Sequence, residues 1–266
     1  MKLSKNLKLA INSCLLAGNE IMNIYKSDKF DVDLKEDNSP LTTADIKSNN
    51  IIKNILKPSG LPIISEESLN IDYNIRKDWD LYWLVDPIDG TKEFIKKNGE
   101  FTVNVSLLKN NIPILGVVYA PVFKLLYFAE KNLGSFKASN ILKLSDLKNR
   151  EILNLKNLKC DKKYTIVISR SHMNKETEDF INKMKEKYNK VYTVSHGSSL
   201  KICKVADGSA NCYPRFGYTM EWDIAAAYVV AKIANCNFTQ VKGSGDIKFN
   251  KKKLINPYFI VEKDVK

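Results

Sequence analysis

The pattern of apolar residues changes roughly halfway along the chain, and this change limits the folds open to it. In the first half, apolar and polar residues alternate over 101–106, and further apolar runs cover 112–120 and 123–129. This succession predicts an antiparallel β-meander. In the second half, predicted strands at 165–169, 191–194 and 210–213 alternate with predicted helices at 174–188, 198–205 and 221–234. We therefore expect an α+β domain over 1–150 and an α/β domain with partly parallel strands over 151–266.

Two helices are predicted ahead of the meander. Apolar residues recur every three or four positions over 3–25, which is typical of the buried face of a helix. Polar residues interrupt this stretch, so we interpret it as a helix and not as a secretion signal. The segment 37–40 predicts a turn, and Thr42 or Thr43 can cap a second helix that ends near Pro58.

The net charge of +12 calls for an explanation, because 42 basic residues face 30 acidic ones. Such an excess can indicate a polyanionic partner. However, only four of the basic residues are arginine, and the lysines are scattered along the chain. Nucleic-acid sites favour arginine because it makes bidentate contacts. We therefore favour drift in composition over a basic binding surface, and we expect no nucleic-acid partner.

The cysteines indicate a reducing compartment. There are five, they are widely spaced, and no pair forms a Cys-x-x-Cys motif. This pattern disfavours both a disulfide framework and a zinc site. No apolar run reaches the roughly 18 residues that a membrane span needs. The composition therefore predicts a cytoplasmic protein.

The sharpest local feature is the segment 83–94, Trp-Leu-Val-Asp-Pro-Ile-Asp-Gly-Thr-Lys-Glu-Phe. A predicted strand stops at Asp86, and the following turn can aim Asp86, Asp89 and the Ile88 carbonyl at one point. Such oxygen ligands suit a hard divalent cation such as Mg²⁺. If Thr91 opens a helix, its N-terminus would also favour a phosphate. The alternative is an ordinary strand-to-turn junction, in which Asp-Pro and Asp-Gly are common.

Other acidic residues are candidates of the same kind, each with a plainer explanation. Glu66 and Glu67 follow a short predicted strand at 61–65 and fit a solvated turn equally well. Asp45 and Asp223 lie in the first turns of predicted helices, where acids stabilise the helix dipole. Spacing alone does not show that these acids meet.

The motifs together resemble the inositol monophosphatase superfamily of metal-dependent phosphatases. That superfamily is marked by an Asp-Pro-Ile/Leu-Asp-Gly-Thr turn, an upstream Glu-Glu pair and a downstream Trp-Asp pair, and all three occur here in order. Within it, the chain is most similar to the 3'(2'),5'-bisphosphate nucleotidases. The stretches that carry this similarity are 37–40, 44–45, 83–94, 98–104, 113–121, 168–172, 197–201 and 213–217.

The resemblance implies a layered α/β/α/β/α sandwich that binds two or three Mg²⁺ ions. The metal ligands that it implies are Glu66, Asp86, the Ile88 carbonyl, Asp89 and Asp223. Asp223 would come from the domain over 151–266, and the other ligands from the domain over 1–150. Lithium inhibition is expected as well.

The resemblance also implies the residues that act on the substrate. Thr91, paired with Asp45, would position and deprotonate the attacking water, which Glu66 would hold through a metal ion. The residues implied in substrate binding are Gly90, Thr91, His172, Ser198, Lys201, Arg215 and Asp223. The residue types fit this role, because Ser198 and Lys201 are expected in one helical turn and Arg215 can grip a phosphate with two hydrogen bonds. For His172 a helix-capping role remains open, and for Lys201 and Arg215 a role as surface charges.

The implied reaction is hydrolysis of the 3'-phosphate of 3'-phosphoadenosine 5'-phosphate to give AMP and phosphate. Its sulfate-bearing relative, 3'-phosphoadenylyl sulfate, is the expected second substrate. The alternatives are an inositol monophosphatase or a fructose-bisphosphatase of the same fold and, more remotely, a nucleic-acid-binding protein. The resemblance leaves open a homodimer and a peripheral association with the cytoplasmic face of the inner membrane.

Overall fold

The computed structural model describes residues 2–27, 31–34, 40–68, 71–148, 152–155, 163–170, 173–243 and 245–263. Its helices are α1 (Lys5–Ser27), α2 (Thr43–Leu56), α3 (Tyr73–Arg76), α4 (Thr91–Ile95), α5 (Lys175–Lys187), α6 (Leu200–Ala206) and α7 (Glu221–Ile233). Its strands are β1 (Val32–Leu34), β2 (Pro40–Thr42), β3 (Ile63–Ser65), β4 (Leu81–Asp89), β5 (Thr102–Lys109), β6 (Ile112–Ala120), β7 (Leu125–Glu130), β8 (Gly134–Ser139), β9 (Ile152–Asn154), β10 (Tyr164–Ser169), β11 (Val191–His196), β12 (Cys212–Arg215), β13 (Cys236–Gln240) and β14 (Phe259–Lys263). In this part of the chain, none of the helices combines the length and hydrophobicity needed to span a bilayer.

The first half of the chain forms a seven-stranded sheet in the order β3-β4-β5-β6-β7-β8-β9, which we call the large sheet. Strands β4 to β9 pair antiparallel in sequence order, while β3 lies parallel to β4. The predicted meander is therefore confirmed. It is longer than expected because β8 and β9 continue it.

The second half forms a five-stranded sheet in the order β11-β10-β12-β14-β13, which we call the small sheet. Strand β10 pairs parallel with β11 and with β12, whereas β12, β14 and β13 pair antiparallel. The prediction of a partly parallel sheet is confirmed. Strands β13 and β14 were not predicted, since their residues lie beyond the last clear alternation of strand and helix.

The two sheets and their helices form five layers. Helices α1 and α2 cover one face of the large sheet, with a core that includes Ile11, Ile52 and Val105. Helices α6 and α7 lie between the sheets in a second core shared by both, and α5 covers the outer face of the small sheet. A Cβ at Gly116 would lie 2.2 Å from the Ala226 carbonyl oxygen, so glycine alone lets α7 lie this close to β6. The α/β/α/β/α architecture is confirmed.

The structure departs locally from the expected β4 and α6, and β9 lies close to the expected domain boundary. Strand β4 does not stop at Asp86 but continues through Asp89 with an irregularity between them. Ser198 lies outside α6, in the left-handed region with a φ of 50°, so the expected helical turn over Ser198 and Lys201 is wrong. Strand β9 pairs with β8 just beyond the expected boundary at 150, and the division there stays a prediction.

Candidate active site

Three carboxylates from remote parts of the chain meet where the two halves join. Glu66 directly follows β3, Asp86 lies within β4 and Asp223 lies in the first turn of α7. One oxygen of each lies within 4.8 Å of the others, an arrangement that can hold a metal ion. The position of Asp223 is fixed by its own helix cap, because its carboxylate accepts a hydrogen bond from the Met220 N–H at 2.9 Å.

The irregularity in β4 brings Asp89 to the same side as Asp86. Asp86 pairs with Asn104 of β5, and Asp89 pairs with Thr102, two residues further along the same strand. In a regular strand, residues three apart point to opposite faces. The extra residue in β4 corrects this, because it puts Asp86 and Asp89 opposite residues of one face. Pro87 and Ile88 thus serve to align two acids.

Burial and mutual repulsion shape the electrostatics of this cluster. Burial raises the pKa of Asp86 well above its usual range, and the nearby charges of Glu66, Asp89 and Asp223 raise it further. Burial, followed by the charges of Asp89 and Glu66, likewise raises the pKa of Asp223. Among the residues that the structure describes, neither oxygen of Asp86 has a hydrogen-bond partner. Buried carboxylates with unsatisfied lone pairs fit a hard divalent cation such as Mg²⁺.

Asp89 lies beside the three-carboxylate group and also contacts the other half of the molecule. Its carboxylate accepts a hydrogen bond from the Ser199 N–H at 2.5 Å. Burial raises the pKa of Asp89 to about 6, although the Lys201 ammonium opposes this shift. Asp89 therefore connects the acidic cluster with the start of α6, in the other half of the molecule.

Thr91 and Asp45 form the pair that the resemblance implies. Gly90 has a φ of 94°, a left-handed conformation that favours glycine, and Thr91 then begins α4. The Thr91 hydroxyl donates to Asp45 Oδ1 at 3.2 Å and lies 3.4 Å from the Ile88 carbonyl oxygen. Asp45 is itself held by the Thr42 N–H and hydroxyl at the start of α2. One threonine hydroxyl thus joins a buried carboxylate to the metal-ligand turn.

The opposite wall of the site is basic. Lys201 is buried, and burial lowers its pKa to about 8, against the attraction of Asp89. Its ammonium donates to the Ser198 carbonyl at 2.6 Å. Arg215 Nη2 donates to the Tyr218 carbonyl at 2.6 Å, and its buried Nε has no partner within the described part of the chain. His172 lies outside the described residues.

The two walls enclose one cavity of about 230 Å³. Its lining includes Glu66, Asp89, Gly90, Thr91 and Asp223 on the acidic side, and Ser198, Lys201, Tyr213, Arg215 and Tyr218 on the other. An arrangement of this kind can bind metal ions and an anionic substrate together. A bound anionic group would then lie between the acidic and the basic side chains.

Sequence reasoning assigned no role to several side chains of this cavity, among them Ser199 and Tyr213. Ser199 donates its N–H to Asp89, and its hydroxyl bonds to Thr102 and Asn104 of the large sheet at 2.9 Å each. Tyr213 lines the cavity, and burial raises its pKa to about 12, so its hydroxyl stays neutral. Both lie beside residues that the motifs singled out, which is the signal that could have identified them.

Comparison with known proteins agrees with this geometry. A model of the inositol monophosphatase family matches residues 2–264. The 3'(2'),5'-bisphosphate nucleotidase CysQ of Buchnera aphidicola is 42% identical over 246 residues, covering 88% of this chain and 83% of that protein. CysQ from Bacteroides thetaiotaomicron, whose crystal structure is that of a bacterial member of the inositol monophosphatase family, is 43% identical with a TM-score of 0.88 over 97% of each chain.

A more distant solved structure shares the fold. It is an IMPase/NADP phosphatase complexed with Mg²⁺ and phosphate, 20% identical to this chain. Its TM-score is 0.72, with 94% of this chain and 87% of that one covered.

Proposed function

Because the chain belongs to the inositol monophosphatase family, we propose that it hydrolyses the 3'-phosphate of 3'-phosphoadenosine 5'-phosphate to give AMP and phosphate. The two-walled cavity carries this proposal. A substrate with two phosphates needs one site for the reacting group and another for the group that stays. The acidic cluster with Thr91 supplies the first, and Lys201 with Arg215 supplies the second.

The curated relatives support the same substrate class. They are 3'(2'),5'-bisphosphate nucleotidases. We infer that 3'-phosphoadenylyl sulfate is a second substrate, because it carries the same 3'-phosphate and differs at the group that does not react.

We propose two or three Mg²⁺ ions as the cofactor. Glu66, Asp86 and Asp223 would hold them, together with Asp89 and the Ile88 carbonyl, and the unpartnered oxygens of Asp86 favour this role. When bound, the ions would polarise the phosphoryl group, acidify a water molecule and offset charge on the leaving oxygen. Li⁺ is expected to inhibit by competing at one of these positions.

Thr91 and Asp45 act on the attacking water. The Thr91 hydroxyl accepts a hydrogen bond from the water, which it can do because it donates its own hydrogen to Asp45 at 3.2 Å. Asp45 takes up a proton through Thr91 as the water oxygen bonds to phosphorus and the bond from phosphorus to the ribose 3' oxygen breaks. The leaving 3' oxygen takes a proton from solvent water. No covalent enzyme intermediate is needed.

The basic wall holds the phosphate that does not react. Lys201 supplies a positive charge from a buried position, where attraction to an anion is strong. The Arg215 guanidinium can donate two parallel hydrogen bonds to a phosphate. Ser198 and Gly90 line the same cavity, and His172 stays a predicted contact. A homodimer, a cytoplasmic location and a peripheral membrane association also stay predictions.

A phosphate-release panel tests the proposal. The purified protein would be given adenosine 3',5'-bisphosphate, inositol monophosphate and fructose 1,6-bisphosphate, each with and without Mg²⁺. We expect Mg²⁺-dependent release with a clear preference for the nucleotide. Release from inositol monophosphate alone would overturn the substrate assignment, and unchanged release after chelation would overturn the cofactor assignment.

A further inference from the structure

Glu100 joins the two halves of the molecule beside the cavity. It lies just before β5 of the large sheet and is 8% exposed. Its Oε2 accepts hydrogen bonds from Arg170 Nε and from the Gly197 N–H, each at 2.9 Å. Its Oε1 accepts from Arg170 Nη2 and from His196 Nδ1, each at 3.1 Å. One carboxylate thus satisfies four donors from the small-sheet half.

These donors lie at the ends of adjacent parallel strands. Arg170 directly follows β10, and His196 is the last residue of β11. Ser169 pairs with His196 in the sheet, and Arg170 Nη2 also donates to the Ser195 carbonyl at 3.0 Å. Glu100 therefore fixes the edge of the small sheet from which the segment 197–201 begins. Neither Arg170 nor His196 has a role in the proposed reaction.

The segment 197–201 needs outside support. Ser198 has a φ of 50°, which is unfavourable for a residue with a side chain. A Cβ at Gly197 would lie 2.6 Å from the Glu100 carbonyl oxygen, so the backbones approach as closely as glycine allows. The segment ends at Lys201, whose ammonium donates to the Ser198 carbonyl. The place of that ammonium therefore depends on the backbone that Glu100 holds.

We propose that Glu100, with Arg170 and His196, is a positioning residue for the segment 197–201 and so sets where Lys201 meets the phosphate that does not react. This inference rests on the proposed function, and it assigns the specificity for a second phosphate to a contact outside the cavity. The hydrogen bonds to Glu100 are charge-assisted, and those from Arg170 are bidentate, which gives them a fixed direction.

Asp207 provides a matched control at the other end of the same helix. It follows α6, and its carboxylate accepts hydrogen bonds from Tyr127 of β7 at 2.7 Å and from Lys137 of β8 at 2.6 Å. It therefore also joins α6 to the large sheet by a buried acid. It does not line the described cavity.

The test compares Glu100→Gln with Asp207→Asn on two substrates, adenosine 3',5'-bisphosphate and adenosine 3'-monophosphate. Gln keeps the size of Glu but loses the charge and turns an NH₂ donor toward other donors. We expect Glu100→Gln to raise KM for the bisphosphate about tenfold, with kcat and the KM for the monophosphate nearly unchanged. Asp207→Asn should leave both KM values unchanged. Equal effects on both substrates, or equal effects of both variants, would overturn the proposal.

Two further measurements keep the outcome decisive. Arg170→Gln changes a half-exposed side chain, so this variant should fold more readily than one with a buried substitution. It should raise the KM for the bisphosphate by a smaller factor than Glu100→Gln does. Amide exchange at Gly197 and Ser199 should be faster in Glu100→Gln and unchanged in Asp207→Asn. If the wild-type protein hydrolyses neither nucleotide, the proposed function fails. The exchange rates still decide whether Glu100 positions the segment.

Discussion

Asp86 is the residue whose surroundings most clearly call for a cation. It is 1% exposed, lies near two other carboxylates and has no hydrogen-bond partner in the part of the chain described. An uncompensated buried charge costs several kcal/mol, and a bound divalent ion removes that cost. We predict that Asp86→Asn lowers kcat at least about a hundredfold, yet raises the melting temperature of the protein in a chelator.

Melting curves with and without Mg²⁺ check this prediction. Wild-type protein should gain stability on adding Mg²⁺, and Asp86→Asn should gain much less. Asp246→Asn is the control, because Asp246 is an exposed acid paired with Lys232. It should change neither activity nor the response to Mg²⁺. An Asp86→Asn protein that is destabilised in the chelator would contradict the role assigned to Asp86.

Substitution of Thr91 tests whether its hydroxyl takes part in the proposed proton transfer. Thr91→Val keeps the shape of the side chain but removes the hydrogen bond to Asp45 at 3.2 Å. General-base contributions are typically about 10²–10⁴-fold, so we predict a fall in kcat of that order with KM little changed. Thr91→Ser should retain most of the activity. Equal losses for Val and Ser would show that the hydroxyl is not the group that matters.

The acids themselves could be predicted from the sequence, but their partners could not. Asp86, Asp89 and Thr91 lie in one short motif, whose residue types already indicate a cation and a phosphate. The alignment of Asp86 with Asp89 depends on pairing with Asn104 and Thr102, which spacing along β4 does not reveal.

At the scale of elements, the start of α7 is held by a loop that follows it by some 30 residues. Glu221, the first residue of α7, is 1% exposed and accepts hydrogen bonds from the N–H groups of Asn250 and Lys251. The Lys251 ammonium lies 2.5 Å from the same carboxylate. The anchored turn carries Asp223, so this loop helps to place a proposed metal ligand.

Glu221→Ala should destabilise the protein through this contact. It removes the counter-charge of the Lys251 ammonium, which still donates to the Lys248 carbonyl, and it leaves two backbone donors without their partner. Together these losses cost about 3 kcal/mol in the free energy of unfolding. Urea unfolding measures this loss, and isothermal titration with Mg²⁺ should show weaker binding. Lys253→Ala, an exposed change in the same loop, should stay within about 0.5 kcal/mol of wild type. Equal stabilities for the two variants would contradict the anchoring role.

The same loop shows why sequence reasoning fails for some elements. Lysines at 248 and 251–253 are typical of a solvated loop, yet Phe249 and Asn250 between them are buried. Asn250 donates to the Arg76 carbonyl and accepts from the Arg76 guanidinium, across 174 residues of chain. A contact of that span leaves no periodic signal. Where the periodicity is long and local, as in α1 or β5, the element was predicted correctly.

At the scale of the whole molecule, the layers could be predicted and the order of the small sheet could not. Alternating strands and helices indicate a partly parallel sheet, but β14 enters between β12 and β13 as an antiparallel strand. The position of β14 in the small sheet depends on which apolar faces remain to be covered once α6 and α7 lie between the sheets. It is a property of the shared core and of no single segment.

The connection between α6 and the large sheet through Asp207 should make global stability depend on pH. Burial would raise the pKa of Asp207, but the charge and hydrogen bond of Lys137 and the hydrogen bonds of Ser209 and Tyr127 lower it overall. A carboxyl whose folded pKa lies below its unfolded value of about 3.9 stabilises the protein above that pH. The contribution is lost as pH falls through the folded pKa.

We predict that Asp207→Asn lowers the free energy of unfolding by about 2 kcal/mol at pH 7, and that the difference from wild type shrinks below about pH 4. Urea unfolding from pH 7 to 3 measures this difference in the free energy of unfolding, and Asp246→Asn is the exposed control. A difference between Asp207→Asn and wild type that stays constant with pH would show that the charge of Asp207 does not stabilise the protein.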